Sequence, residues 1–274
     1  MITVSTNVSS LVAQQNLART SSALSGNIGR LSSGLRVRSA ADDAAGLAIS
    51  EDFKASIRSL GQAKRNANDG VSLIQTADGS LKEVSGLLVR MRELAVQSRN
   101  GTNNSTQRGY LHDEFVQLRS EIDRIANTTE FNGLTLLDGG QASGLSFQVG
   151  MGTTGDDRLT LSIATSGASA LGLATSSISS TSAADTAIAA LDDAIQDIST
   201  RRAGMGAMQN RLQVTMSNPD TYSTNLSAAN SRIVDVDVAS ETAELTKNNI
   251  LLQAGAAMLA QANQAPQIAL SLLQ

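Results

Sequence analysis

The sequence contains no cysteine and very few aromatic residues. Among its 274 residues there is no tryptophan, and there are only four phenylalanines and two tyrosines. The lack of cysteine excludes disulfide bonds, thiol catalysis and cysteine-based zinc sites. Because large aromatic side chains normally dominate the energetics of a core, their scarcity predicts a thin core built from aliphatic side chains.

Proline is also rare, with residues only at Pro219 and Pro266. Alanine, serine, leucine, glutamine and asparagine are abundant, a composition typical of long helices packed in pairs or bundles. The formal net charge of -4 argues against a nucleic-acid partner. No Sec-type signal is expected, because the N-terminus lacks a basic region followed by an apolar core. The arginine- and serine-rich, acid-free first 41 residues leave a mitochondrial transit peptide as an alternative.

The C-terminal segment, 248–274, carries no charged side chain. Leu245, Leu252 and Leu259 recur at heptad spacing at its start. Pro266 and several polar amides interrupt the segment, and a bilayer span needs about 20 mainly apolar residues, so we expect no membrane insertion. A heptad-spaced, uncharged helix is instead expected to pack against another helix.

A matching pattern lies near the N-terminus, where apolar residues recur in helical steps. The steps predict a coiled-coil seam in which Ser21 fills the missing position. The seam residues are Leu17, Leu24, Ile28, Leu31 and Leu35. We therefore expect the two terminal helices to pair with each other.

The middle of the chain is predicted to contain further helices and one hairpin. Helical spacing predicts a long helix from 44 to 97 and a third helix folded back on it. Alternating apolar residues near 145–163 predict a β-hairpin. The serine- and threonine-rich stretch 165–182 is expected to be a flexible or solvent-facing link.

Helical spacing then resumes, and a break is predicted at Asn218-Pro219-Asp220. A final helix is expected from Tyr222 to Gln264, ahead of Pro266. The complete pattern predicts a mainly α protein: a long antiparallel helical bundle or coiled-coil rod with a small β-hairpin, whose terminal helices pair.

No arrangement of residues points to catalysis. The pattern G-x-G-x-x-G at 150–155 is followed by a second predicted strand and not by a helix, so we interpret it as a hairpin loop. His112 is the only histidine, so the paired-histidine zinc motif is absent. The adjacent aspartates at 42–43 and 192–193 do not face each other on a helix. We expect no enzymatic activity, no cofactor and no metal.

More specific motifs occur at both ends of the chain, and together they resemble bacterial flagellin over residues 1–140 and 183–274. The N-terminal motifs are LSSGLRVRSAADDAAG at 31–46, RMRELAVQ at 90–97, EIDRI at 121–125 and FNG at 131–133. The C-terminal motifs are SRIVDVD at 231–237, QAG at 253–255, ANQ at 262–264 and LSLLQ at 270–274.

The resemblance implies a structural subunit of the flagellar filament, secreted unfolded by type III export and assembled outside the cell at the distal tip. Residues 1–42 and 222–274 would form an inner coiled-coil shell, and 43–221 an outer-shell helical rod. The chain looks minimal, because only the hairpin and the link stand where many flagellins carry variable domains. The implied self-assembly residues are Leu17, Leu24, Ile28, Leu31, Leu35, Leu245, Leu252 and Leu259.

The implied partners are identical subunits, an export chaperone, the filament cap and hook-junction proteins. The nearest alternative is a flagellin-like adaptor at the hook–filament junction, which copy number per cell would distinguish. A generic coiled-coil scaffold is a third interpretation, for which uniform heptads without a hairpin would be expected.

Two further kinds of site are predicted. The resemblance implies recognition by a host Toll-like receptor through Arg90, Leu94 and Glu114, although Val89 stands where the family often has glutamine. The alternative is that Leu94 packs at a seam edge and Arg90 is a solvated charge. Candidate O-glycosylation sites in the link are Ser176, Ser177, Ser179 and Ser180, for which a plain loop is the alternative.

Overall fold

The computed structural model describes the backbone of residues 6–271 and the side chains of residues 6–264. The elements in this range are α1 Val8–Ser33, α2 Ala44–Arg99, α3 Ser105–Thr128, β1 Glu130–Phe131, β2 Leu134–Thr135, β3 Leu145–Gln148, β4 Arg158–Leu161, α4 Thr181–Val234 and α5 Val238–Ser271. The predicted mainly α fold with a small hairpin is confirmed. The predicted terminal motif at 270–274 lies outside the described side chains.

The chain divides into two compact units. Unit 1 contains Met1–Ile57 and Thr224–Gln274, and unit 2 contains Arg58–Ser223. Their buried residues differ in kind. Among the described residues of unit 1, the buried hydrophobic side chains are only those of Val37 and Val234. The buried polar residues of the same unit are Ser10, Asn27, Ser50 and Asn248.

Unit 2 has a continuous aliphatic core, as the scarcity of aromatic residues predicts. Phe115 is completely buried in it, together with aliphatic side chains from three helices, the hairpin and the link. The helices α2 and α3 run antiparallel, because Arg90 contacts Glu114 and Arg108 contacts the carbonyl of Ser98. The fully buried members include Ile74, Leu81, Leu88, Met91, Leu94, Ile122, Leu136, Leu137, Ile163, Leu173 and Ile178.

Two antiparallel hairpins interrupt the helices. β3 and β4 form the predicted one, in a register that runs from Leu145 opposite Leu161 to Gln148 opposite Arg158. A second, smaller hairpin of β1 and β2 was not predicted. Its two loop residues are Asn132 and Gly133, with φ of 52° and 76°. Positive φ at both positions is typical of a tight hairpin turn. The Asn-Gly pair was therefore the feature of the sequence from which this hairpin could have been predicted.

The predicted helix break at 218–220 is wrong, because α4 continues through Pro219 to Val234. The chain leaves the helix at 235–237 instead. Asp237 then caps α5, since its Oδ1 accepts hydrogen bonds from the backbone N–H groups of Ala239 and Ser240 at 3.0 and 3.3 Å. A proline removes only one backbone hydrogen-bond donor from a helix. The other helical hydrogen bonds of α4 continue on both sides of Pro219, so the helix does not end there. The helix α5 likewise continues past Pro266.

The link 165–182 is not simply solvent-facing, which corrects the sequence-based expectation. Leu171, Leu173 and Ile178 are buried in the core of unit 2. The backbone carbonyl of Ile178 accepts a 2.5 Å hydrogen bond from Ser98 Oγ. Serine and threonine dominate the composition of the link, but its few aliphatic residues anchor it because burying each one stabilises the fold.

Candidate assembly surface

The terminal helices α1 and α5 pack against each other in unit 1, as predicted. The helix α1 begins where Asn7 Oδ1 accepts a 3.1 Å hydrogen bond from the backbone N–H of Ser10. It ends at Gly34, whose φ of 72° is the left-handed conformation typical of a helix C-terminus. Beyond that end, Leu35 and Asp235 form an antiparallel bridge.

Four polar contacts show that the pair is antiparallel. Asn7 Nδ2 donates to the carbonyl of Ala262 at 2.8 Å, and Ser10 Oγ donates to Asn263 Oδ1 at 2.8 Å. Asn248 Nδ2 donates to Asn27 Oδ1 at 3.1 Å. Arg30 forms a 2.8 Å ion pair with Glu241. Residues 7 and 10 of the N-terminal segment contact 262 and 263, whereas 27 and 30 contact 248 and 241, so the two helices run in opposite directions.

The interface has heptad spacing on both helices, and its members are buried or half-buried. We call these residues the seam. On α1 they are Ser10, Ala13, Leu17, Thr20, Leu24, Asn27 and Leu31. On α5 they are Glu241, Leu245, Asn248, Leu252, Gly255, Leu259 and Ala262.

Six of the eight predicted self-assembly residues lie in this seam, and two do not. Ile28 is 52% exposed, and Asn27 occupies the seam position instead. Leu35 follows the end of α1 and belongs to the bridge. Thr20, rather than Ser21, fills the gap in the apolar pattern. Hydrophobicity favoured Ile28 because steps of three and four residues both fit a helical face.

Small residues face large ones across the seam. A Cβ atom built on Gly255 would lie 2.9 Å from Leu17 Cδ1. The glycine therefore allows the leucine to pack directly on the α5 backbone, which a larger side chain would prevent.

An apolar groove runs along one side of the helix pair and was not predicted. It encloses about 550 Å³ and is lined by Val8, Val12, Leu17, Leu251, Gly255 and Met258 among others. Val12 is 51% exposed, Leu251 47% and Met258 66%. Exposed apolar surface of this kind marks interaction sites. The sequence contained a signal for this groove, because an apolar residue directly precedes several seam positions. Examples are Val12, Leu251 and Met258.

The predicted receptor residues are placed differently from one another. Arg90 Nη2 lies 2.8 Å from Glu114 Oε1, and Arg90 Nη1 lies 3.1 Å from Glu93 Oε2. The hydrogen bond to Glu114 and the one to Glu93 raise the pKa of Arg90, so the exposed guanidinium stays charged. Leu94 is only 1% exposed and packs in the core of unit 2.

The four candidate glycosylation serines are also not equivalent. Ser176 and Ser177 are half-buried, whereas Ser179 and Ser180 are exposed. The hydroxyl of Ser180 accepts a 3.2 Å hydrogen bond from the backbone N–H of Ala183 and so helps begin α4. Ser179 is the other exposed serine, and its hydroxyl lies 3.1 Å from Ser177 Oγ.

The glycine-rich loop between β3 and β4 is a hairpin connection. A Cβ atom on Gly150 would lie 2.0 Å from Asp157 Oδ1, and one on Gly152 would lie 2.4 Å from Asp157 Oδ2. Hydrogen bonds from Thr154 and the backbone lower the pKa of Asp157. These glycines make room for a carboxylate that organises the loop, which is a structural reason for the G-x-G spacing.

His112 has structural contacts. Its Nδ1 accepts a 3.5 Å hydrogen bond from the backbone N–H of Ile178, and its ring stacks on Phe115 with centroids 6.5 Å apart. Among the side chains of residues 6–264, no group of three or more metal-ligating side chains comes together. Over the same range, every helix is too short or too polar to cross a membrane.

Comparison with known protein families identifies both ends of the chain. The model of the bacterial flagellin N-terminal helical region matches residues 4–142, and that of the C-terminal helical region matches 188–273. A flagellin of Halalkalibacterium halodurans is 51% identical over 245 residues, which cover 89% of this chain and 90% of that relative.

A further relative and a solved structure are also similar to this chain. The flagellar filament 33 kDa core protein of Treponema phagedenis is 44% identical over 283 residues, with 98% of each chain covered. The crystal structure of Bacillus cereus flagellin is similar with a TM-score of 0.51 and 36% identity, covering 61% of this chain and 94% of that one.

Proposed function

This chain belongs to the bacterial flagellin family, and we propose that it polymerises into the flagellar filament through the apolar groove of its paired terminal helices. It is a structural filament protein rather than an enzyme. The observation that carries the proposal is the exposure of large apolar side chains on both α1 and α5, where they line one groove, whereas unit 2 has a continuous buried core. An isolated subunit leaves this surface in water.

A second copy of the chain is the occupant that fits the groove. Unit 1 has few fully buried apolar side chains, so burial of its exposed ones against other subunits is a further source of hydrophobic stabilisation. Identical subunits joined by a rotation that does not close form an open helical polymer. The same contacts would therefore repeat along a filament.

Replacing Val12 with Thr and Met258 with Gln tests the groove with little change of shape. Together the substitutions are expected to remove about 2 kcal/mol of apolar burial and to raise the critical concentration for polymerisation about thirtyfold. Sedimentation and electron microscopy measure this effect. The matched control is Gln14→Ala with Gln253→Ala, at exposed positions outside the groove, which should polymerise as the parent does. An unchanged critical concentration in the first variant contradicts the proposal.

We also propose that the chain is exported unfolded, is held by an export chaperone before export, and assembles outside the cell beneath the filament cap, next to hook-junction proteins. Support comes from family membership and from the absence of cysteine, which leaves no disulfide to impede unfolding. Full-length chain should be recovered in filaments sheared from flagellated cells. Retention of the chain inside such cells would contradict this proposal.

Recognition by a host Toll-like receptor is a further proposal, centred on the exposed Arg90–Glu114 pair. Leu94 is buried, so its expected role is to hold α2 in place beneath Arg90. We expect Arg90→Ala with Glu114→Ala to reduce receptor signalling about tenfold, in keeping with the loss of a charged interface contact.

A reporter-cell assay measures receptor signalling, and Arg124→Ala is the matched control. Arg124 is also an exposed arginine paired with a glutamate on its own helix, at 2.5 Å from Glu121. Full signalling by the Arg90/Glu114 variant would rule out this contact.

A further inference from the structure

The methionines of this chain differ widely in their exposure to solvent. Three of those among residues 6–264 are buried in the core of unit 2, and one is half-buried: these are Met91, Met205 and Met208, and Met216. Met151, in the loop between β3 and β4, is 40% exposed, and Met258, on α5, is 66% exposed. Met258 is therefore the most exposed methionine in the described part of the chain.

Met258 also stands in the apolar groove of the terminal helices. The residues that line the groove with it are mainly aliphatic, as Val12 and Leu251 are, and those described carry no charge. A thioether is apolar and its side chain is flexible, so methionine suits a surface that packs against another protein. A polar group at the same position would lose its water when the groove is covered, which costs free energy unless a partner replaces that water.

A peroxide can introduce such a polar group at a methionine without any other reactant. The sulfur attacks one oxygen of the peroxide, so that a sulfur–oxygen bond forms as the oxygen–oxygen bond breaks. The proton on the transferred oxygen passes to the departing oxygen. Sulfur is oxidised by two electrons, and hydrogen peroxide is reduced to water. The product, methionine sulfoxide, is polar and is known to disrupt interfaces that contain methionine.

We propose that Met258 is an oxidation site through which a peroxide blocks the assembly of free subunits, whereas subunits within the polymer are protected because their groove is covered. The consequence for assembly rests on the proposed function, but the order in which the methionines are oxidised does not. Exposed Met258 is open to the peroxide at once. Met91 and the other buried methionines react only after the core of unit 2 opens locally, which makes them slower.

Mass spectrometry of peptides after treatment with hydrogen peroxide measures the order of oxidation. In the soluble full-length chain, sulfoxide should form at Met258 at least about ten times faster than at Met91. Equal rates at these two residues would overturn the inference. In pelleted polymer the rate at Met258 should fall at least about tenfold, since an apolar contact excludes the peroxide together with water. An unchanged rate in the polymer would contradict the proposed function, because the groove would still be open.

The critical concentration for polymerisation shows whether oxidation at Met258 controls assembly. Peroxide treatment of the free parent chain should raise it about fivefold, through loss of apolar burial at one side chain. Met258→Leu keeps an apolar side chain of similar volume but has no sulfur. The critical concentration of this variant, compared before and after the same treatment, should not change. The matched control Met151→Leu should show the same rise as the parent. A rise in Met258→Leu equal to that of the parent would place the effect at another residue.

Repair of the sulfoxide provides a second test that needs no substitution. Two methionine sulfoxide reductases, one for each sulfoxide epimer, reverse this oxidation when a thiol reductant is supplied. They should return the treated parent chain to its original critical concentration. A rise that persists after Met258 has been reduced would overturn the inference. An untreated parent chain that never pellets contradicts the proposed function, whereas the order of oxidation is still decided on the soluble chain.

Discussion

Deleting residues 248–274 is expected to abolish polymerisation while leaving unit 2 folded. The deletion removes Leu252 and Leu259 from the seam and Leu251 and Met258 from the groove, so α1 loses most of its partner helix. Unit 2 keeps its aliphatic core, in which none of the described side chains of residues 248–264 takes part. Electron microscopy should show no filaments at any protein concentration tested, and the thermal unfolding of unit 2 should be unchanged.

A full-length control separates the loss of the seam from the loss of length. Leu252→Gln with Leu259→Gln keeps every residue position but removes two apolar seam contacts. We expect this variant also to fail to polymerise, since burial of each leucine is worth about 1.5–3 kcal/mol. Filaments formed by the truncated chain would contradict the assignment of assembly to the terminal helices.

Replacing Phe115 with Ala is expected to destabilise unit 2 by about 3–5 kcal/mol, the usual cost of removing a buried phenylalanine. Phe115 is completely buried, and it stacks on His112 next to the backbone of the link. Denaturant unfolding followed by circular dichroism measures the loss.

Tyr110 provides the matched control on the same helix. It is 70% exposed, so Tyr110→Ala should change the free energy of unfolding by less than about 0.5 kcal/mol. Both variants remove an aromatic ring from α3, and only burial distinguishes them. Equal effects of the two substitutions would show that Phe115 does not anchor the core.

Much of the fold could be predicted from the sequence because its periodicity is strong. Helical spacing predicted α2 almost to the residue, and alternation predicted the β3–β4 hairpin. The heptad leucines on both terminal segments correctly predicted that α1 and α5 pair. Composition predicted an aliphatic core, and the flagellin motifs predicted the family.

The misses occurred where a local pattern competes with packing. Pro219 was expected to end a helix, but α4 continues through it and ends at Val234. The composition of the link predicted solvent exposure, whereas Leu173 and Ile178 are buried. Ile28 was assigned to the seam because it is apolar, although the helix turns Asn27 inward. No sequence rule would choose a buried amide over an isoleucine one residue away.

The sequence alone therefore determined most of the helical segments and the alternation of apolar and polar residues that forms the β3–β4 hairpin. These properties depend on local spacing and on residue types. Only the tertiary structure decided which residues of the two terminal helices lie opposite each other and which apolar side chains beside the seam remain exposed. That choice depends on partners more than 200 positions apart, such as Asn27 and Asn248 with their separation of 221. Residues so far apart in the chain meet only in the folded structure, so a local pattern of residue types does not show which side chains on the two helices lie opposite each other.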